Sequence, residues 1–474
     1  MILFAQMVSA YSFEDIQSAA ERGETEAQLE LGVMYAEGRE VLQNYAKALE
    51  WFQKAAAQGN ATAQFNIGWM YEHGNGVVQD YSTSIEWYKK AAQQGFAKAQ
   101  HNLGVIYLNG QGIAQDYTKA FDLFEKAANQ GLDKAQINLG LMYSKGYKVT
   151  QNYAKAFEWY QKAAVQGNAI AQYNIGWMYE LGNGVVQDDS ASVEWYKKAV
   201  QQGLAAAQYN LGVMYLNGRG VAKNHTKALD LFKKAAIQGY AMAQHNLGWM
   251  YENGWGTRKD STEAVKWYRK AADQGYVSSQ INLAFAYRTG RGVTQNDAEG
   301  LKWYRLAAEQ KEPIAEYEIG LMYFHGQAVN KDHSAAAKWM RKSADQGFPA
   351  AQRELGKYYQ DGYGVTANLD EALKWYCRAA EQGNTAGRVD IAFMYANGVG
   401  VSKSLVNAYM WVLLALETEN NAQTQYYDIA KRLRKELQSY LSQEQIAEAQ
   451  KKAEKWKQQV QNRRNFNLNC VSKS

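Results

Sequence analysis

Apolar and small residues recur along this chain every 36 residues. Within the stretch Ala61 to Gly95 they stand at Ala63, Ile67, Met70, Tyr71 and Gly74, the spacing of a helix with one buried face. Gly74-Asn75-Gly76-Val77 then reads as a turn. Asp80 stands at the start of a second periodic run, Ser84, Trp87, Tyr88 and Ala91, and Gln94-Gly95 closes that run with a residue suited to the left-handed position after a helix. The column of Asp80 holds Asn44, Asp80, Asp116, Asn152, Asp188, Asn224, Asp260, Asn296, Asp332, Asn368 and Ser404. Every one can accept a hydrogen bond from the open N–H groups of a first helical turn. The unit is therefore predicted to be a helix–turn–helix hairpin.

Tyr71 recurs without slip from Tyr35 to Tyr395, making eleven copies. A fixed period of this length predicts an all-α solenoid, in which no unit buries its own apolar face and neighbours supply the missing contacts. A longer period of 108 residues is also visible: Ala61 to Gly95 closely matches Ala169 to Gly203. Gly68 recurs in the middle of nearly every first helix, where glycine costs about 0.5–1 kcal/mol relative to alanine; its recurrence predicts that another backbone approaches closely. The pattern weakens between Ser278 and Lys311, where Ser279, Ala284 and Ala286 replace the usual residues, and a hinge or a change in superhelical curvature is expected there.

These signals divide the chain. Residues 1–10 are apolar and end in Val8-Ser9-Ala10, a small-residue motif, but without a preceding basic stretch. They read either as the remnant of an export signal, which places the protein in the periplasm or outside the cell, or as an apolar lead-in. Residues 11–23 are expected to form an N-terminal capping helix, 24–419 the eleven repeats, 420–461 two C-terminal capping helices, and 462–474 a frayed polar tail.

Composition sharpens this in three places. Lys431 to Ser474 holds eleven basic and four acidic residues, an excess of +7; against a total of +5 this leaves −2 for the rest. The repeat body is not a basic surface, which disfavours nucleic acid as a partner. Two cysteines, Cys377 and Cys470, are too few for a disulfide framework, and Cys377 shares a column with Lys89, Lys197, Arg269 and Arg341, so it is expected on a wet face. No run approaches the ~20 apolar residues of a membrane-spanning helix.

The residues AxAQxxLGxMYxxGxGV followed by QDYxKAxxWYxKAAxQG resemble the Sel-one-like repeat family, relatives of the tetratricopeptide repeats. The resemblance implies a right-handed solenoid of antiparallel helix pairs whose first helices line a concave face. It also implies an adaptor or scaffold that binds a partner protein, with neither cofactor nor metal.

On the first helix, the face opposite the buried stripe carries Phe65, Asn66 and Trp69. Along the array this face continues with His101, Tyr173, Trp177, Tyr209, His245, Trp249, Phe285 and Tyr317, beside an asparagine column at Asn66, Asn102, Asn138, Asn174, Asn210, Asn246 and Asn282. One reading is a groove for an extended peptide or partner segment, with rings supplying area and amides pairing with its backbone. The other is that successive first helices pack edge to edge and bury these groups. A saccharide or peptidoglycan binder would use the same residue types, and a secreted host-interaction factor would share the groove.

Catalysis finds little support. Some cysteine-rich relatives are described as β-lactamase-like, but Ser-x-x-Lys does not occur here and Arg288-Thr289-Gly290 falls in a turn column. The six histidines show no metal-ligand spacing, and Gly74-x-Gly76 lacks the third glycine of a dinucleotide fingerprint.

Overall fold

The computed structural model describes residues 12–417 and 424–461. The expected signal remnant, the frayed tail and Cys470 lie outside them. Among the described residues the structure is all-α, and every repeat forms the predicted hairpin. In Ala61–His73 and Tyr81–Gln93, as in most others, both helices have 13 residues. The chain divides into two compact units, one up to Gln238 and one from Gly239 onward. Each unit is a tandem stack of hairpins in which each second helix packs on its own first helix and on the next hairpin's.

Local rules explain the regularity. Each residue of the Asn/Asp/Ser column caps its second helix: Asp80 accepts from the N–H groups of Ser82 and Thr83, and Asn44 from that of Lys47. Gly74 ends its first helix at φ +71° and Gly95 follows its second at φ +84°, both left-handed conformations that a β-carbon disfavours. Pro313 and Pro349 open their first helices, where a missing N–H costs little.

A glutamine ladder joins neighbouring hairpins. The Gln94 amide donates to the buried Gln64 at 2.8 Å, and the same bond recurs as Gln130 to Gln100, Gln202 to Gln172 and Gln274 to Gln244. Most buried glutamines of this column also donate back to a carbonyl eight residues earlier, as Gln64 does to Ala56 and Gln100 to Ala92. The AxAQ and QG signatures are thus the two halves of one polar lock, which satisfies buried groups at the hairpin junction. In the last repeat Arg388 takes the buried place and reaches the carbonyls of Ala380 and Leu414.

The mid-helix glycines face the second helix closely, most of them a ring first and several its backbone as well: a β-carbon on Gly248 would lie 3.0 Å from the Ala264 carbonyl. A β-carbon on Gly68 would lie 2.7 Å from Cδ1 of Tyr88, and one on Gly104 2.7 Å from Cε1 of Phe124. Where alanine replaces glycine, the opposite helix gives way. Ala284 faces Gly300, whose own β-carbon would meet the Ala284 carbonyl at 3.1 Å, and the ring position opposite Ala392 is Val412. The weakened stretch is a packing exchange within a hairpin like the others, Val277–Thr289 with Asp297–Glu309.

The ends are closed by different means. Phe13–Glu21, capped by a Ser12/Asp15 box, buries Ala20 against Ala27 and Leu31. At the other end, helices Thr424–Gln438 and Gln443–Gln461 bury Ala430, Leu433, Leu437, Ala449, Ala453 and Trp456 around Trp411. A Ser442/Gln445 capping box opens the second of these helices, with bonds of 3.0 and 3.2 Å. Cys377 belongs to this cluster and is buried, contrary to the wet face expected from its basic column. Column mates Arg269 and Arg341 explain the difference: their guanidinium groups extend to Tyr287 and Tyr359 of the next repeat, whereas the short thiol remains under the last hairpin.

Candidate functional site

First helices carry apolar residues all round, so their two sides are decided by packing rather than by amphipathicity. Ala63, Gln64, Phe65, Asn66, Ile67, Gly68 and Met70 are all buried in Ala61–His73. Phe65 is only 4% exposed and lies 5.5 Å, ring to ring, from Tyr88 and Phe96. Its column mates His101, Tyr173, Tyr209, His245 and Tyr317 are half-buried; the first four set their rings against one of the second helix, such as Tyr173 on Tyr196 at 5.7 Å, and Tyr317 meets Phe348 at 5.4 Å. The position of Phe65 was expected to be an open surface. It is largely an inter-helix seam, because the second-helix ring reaches across to it.

The asparagine column turns inward as well. Asn102 donates to the Tyr88 hydroxyl at 3.1 Å and Asn210 to that of Tyr196 at 3.0 Å. Asn282 makes the same contact with Tyr268. Asn138, opposite Phe124, pairs instead with Nε2 of His101 at 3.1 Å, and Asn66 is fully buried. Asn174 and Asn246 are half-buried. For Asn102, Asn210 and Asn282 this is the edge-to-edge reading of the column: their amide groups serve the stack.

The tyrosines they meet also hold a carboxylate. Tyr88 donates to Glu72 at 2.6 Å, Tyr196 to Glu180 at 2.7 Å and Tyr268 to Glu252 at 2.7 Å. Burial, reinforced by that neighbouring charge, pushes these phenols well above their ordinary range. Arg219 closes the second network on Glu180 and Asp189, and Arg291 the third on Glu252. The pairing is legible as a rule 16 residues apart that the reading above missed. Second-helix tyrosine goes with a polar partner, at Glu72, Ser144, Glu180, Glu252, Arg288 and Gln360; Phe52, Phe124, Phe232, Met340 and Val412 go with Ala36, Leu108, Leu216, Phe324 and Ala396.

What remains open on the first helices is the column of Trp69. From the second repeat it reads Trp69, Val105, Leu141, Trp177 and Val213 in one unit, and Trp249, Phe285, Leu321, Lys357 and Phe393 in the other, all half-buried or exposed. Phe285 is 45% and Phe393 41% exposed. Ile170 and Leu181, on the same helix as Trp177, add further exposed apolar area. Sequence reasoning found the aromatic members; the valines and leucines carry the line between them.

The second helices manage their aromatics differently. Trp51, Trp87, Trp159 and Trp195 each lie under a lysine three residues on, with ammonium-to-ring distances of 3.7 to 4.0 Å. On the first helices the residue three on from Trp69, Trp177 and Trp249 is glutamate, already engaged by tyrosine. Trp69 instead stacks on His73 and Trp249 meets Trp255 edge to face, each at 4.5 Å, so these indoles remain half-buried.

Between neighbouring first helices lies a crevice with the tyrosine network on its floor. In the second unit it widens to a cavity of about 280 Å³ lined by Lys357, Gln360, Tyr376, Asp390, Phe393 and Asn397, among others. Tyr376 donates to Gln360 at 3.1 Å, and Asp390 pairs with Arg353 at 2.6 Å. Burial raises the Asp390 carboxyl above its usual range, a shift that Arg353 opposes. Arg353 in turn stacks under Tyr426 at 4.6 Å, so the capping helix Thr424–Gln438 overlies the Phe65-type column at this end.

The two histidines of the Phe65 column are shifted toward their neutral forms. Burial depresses His101, and His245 is lowered to about 4, with Nδ1 2.9 Å from the Ser279 hydroxyl. Among the described residues no group of three or more His, Cys, Asp or Glu could hold a metal ion, and no helix is long and apolar enough to cross a membrane.

A family model described as Sel1 repeat matches the chain eleven times, in ten consecutive segments from residue 25 to 384 and again at 387–417. Among solved structures, the chain is similar to a protective antigen present in uropathogenic Escherichia coli strains and displaying an SLR fold, at 35% identity over 98% of this chain and 100% of that one, with a TM-score of 0.77. It is also similar to a Sel1 repeat protein from Oxalobacter formigenes, at 32% identity over 65% of this chain and 90% of that one, with a TM-score of 0.52. Among curated proteins, none matches it.

Proposed function

The chain belongs to the Sel1 repeat family, and from that premise we propose that it is a non-catalytic scaffold that captures an extended segment of a partner protein along the first helices. The observation that carries this reading is the asymmetry between the two helix sets. Second-helix tryptophans lie under their own lysines, whereas the Trp69 column presents half-buried or exposed apolar side chains at successive hairpins. Exposed apolar area in a line is costly unless something covers it. Packed neighbouring helices stand about 8–10 Å apart, so the column offers side-chain sites at fixed intervals, each adding a small increment of area. Small increments suffice because the stack holds them in register before the partner arrives.

The buried asparagines narrow the mechanism. Asn102 and Asn210 spend their amide N–H groups on tyrosine hydroxyls, so affinity is assigned to side-chain insertion between apolar ridges and not to an amide ladder along the partner backbone. The test is capture from envelope and cytoplasmic fractions by the wild type and by the variant Trp69→Lys/Trp177→Lys/Trp249→Lys. Lysine is the residue the chain itself places in this column at Lys357, so the fold tolerates it. A protein retained by the wild type and lost by the folded variant supports the reading; equal retention moves the site to the second-helix face or the basic C-terminal helices.

Export belongs to the same proposal. The apolar run Ile2 to Val8 with Val8-Ser9-Ala10 supports it, as does the similarity to a protective antigen. A secreted factor acting on a host is then the variant of this reading that differs in destination alone. Cell fractionation with a cytoplasmic marker decides it: the protein in the periplasm or medium agrees, and the protein confined to the cytoplasm does not.

A further inference from the structure

We propose that the crevice between helices Pro349–Asp361 and Thr385–Asn397 is a pocket for an aromatic side chain carrying a hydrogen-bond donor, the indole of a partner's tryptophan being its best occupant. This deepens the scaffold reading and rests on it only for the origin of the side chain.

The argument compares equivalent positions. Three hairpins have tryptophan, at Trp69, Trp177 and Trp249, followed three residues later by a glutamate that accepts from the second-helix tyrosine. Trp69 there packs against the apolar clusters of its own and the next hairpin, bridging the two. Another network with a tyrosine bonded at this spacing, Tyr376 to Gln360, has Lys357 where the indole would be. At this hairpin the crevice holds a cavity of about 280 Å³. A lysine stem fills less of the crevice than an indole does, and its ammonium lies 3.7 Å from the Glu354 carboxylate.

The walls suit an aromatic from outside. Phe393 stands 41% exposed at the rim, able to meet an incoming ring edge to face. Lys357 supplies an ammonium beside the same space, as the lysines above Trp87 and Trp195 do for the chain's own indoles. Asn397 donates its amide N–H to the Phe393 carbonyl at 3.0 Å, which turns its own carbonyl oxygen into an acceptor for an indole N–H. Asp390 is bonded to Arg353, so the floor carries a compensated charge and does not demand a cation.

The experiment titrates full-length protein with 5-fluoroindole, followed by fluorine NMR, and with N-acetyl-L-tryptophanamide and N-acetyl-L-leucinamide in parallel. Saturable binding of both indoles is expected, with the leucine amide at least tenfold weaker. Lys357→Trp is expected to weaken indole binding at least tenfold and to raise the melting temperature, since the chain then fills the space itself. Phe393→Ala, at an exposed rim position, should weaken binding threefold or more without loss of fold. No saturable binding to the wild type, equal affinity for the leucine amide, or indole binding unchanged in both variants would each overturn the proposal. Partner capture through the Trp69 column of the first unit is measured separately, so failure of the pocket and failure of the scaffold reading are told apart.

Discussion

The hydroxyl of Tyr88 donates a 2.6 Å hydrogen bond to the Glu72 carboxylate while accepting one of 3.1 Å from Asn102 of the next hairpin. One phenol thus ties a first helix, a second helix and the following first helix together. Tyr88→Phe removes the donor and leaves Glu72 partly buried without it, a loss of about 1–3 kcal/mol. Adding Glu72→Leu recreates the apolar pair seen at Leu108 and Phe124, and most of that loss should be recovered. A double-mutant cycle by chemical denaturation checks this, and additive effects of the two changes would contradict it.

Gly68 is required by the ring it faces. Gly68→Ala places a methyl 2.7 Å from Tyr88, with an expected cost of about 1–3 kcal/mol from overpacking, although alanine is the better helix former. Combined with Tyr88→Val, the pairing of Ala392 with Val412, the penalty should fall; a neutral Gly68→Ala would show that the ring moves aside freely.

Protonation of His245 opposes folding. Its folded pKa of about 4 lies below the ordinary 6.5, so between these values the unfolded chain takes up a proton that the folded one does not. The groups around it are the rings of Tyr268 and Tyr276, the Ser279 hydroxyl and the more distant Glu252. Its contribution is therefore full above pH 6.5 and is lost as pH falls towards 4, up to ~3 kcal/mol. His245→Tyr, the residue type at Tyr209 and Tyr317, should flatten this part of the stability–pH curve, measured by urea melts at pH 7 and pH 5.

Cys377 is buried under the last hairpin. Native protein should modify at this position with a thiol reagent at least tenfold more slowly than protein in denaturant, read by mass spectrometry of the peptide that contains it. Equal rates would mean that the helices after Trp411 do not cover it.

The hairpin, its caps and its period could be read from the chain because each depends on residues close in sequence: Asp80 caps its own helix and Gly74 ends the one before. The face exposed by the first helices could not be read the same way. On a helical wheel Phe65 falls opposite Ala63 and Ile67, yet it is buried because Tyr88 and Phe96 close over it, and a wheel knows nothing of the following helix. The asparagine column likewise looked outward until the tyrosine hydroxyls that hold it were located. That signal was present in the chain as the link between Glu72 and Tyr88, Leu108 and Phe124, which becomes visible when columns are compared in pairs. Cys377 was misplaced for a related reason: its column is defined by long basic side chains that leave the core by length, and a thiol cannot.

The central claim is that the partner lies on the first-helix column of Trp69. Site-specific photo-crosslinking in cells tests it most directly, with p-benzoylphenylalanine at Leu141 or Val213 on first helices and, for comparison, at Val165 or Ile237 near second-helix ends, which are 80% and 68% exposed. Adducts with a common partner from Leu141 and Val213, and none from Val165 and Ile237, are predicted. Adducts confined to Val165 and Ile237 would contradict the account.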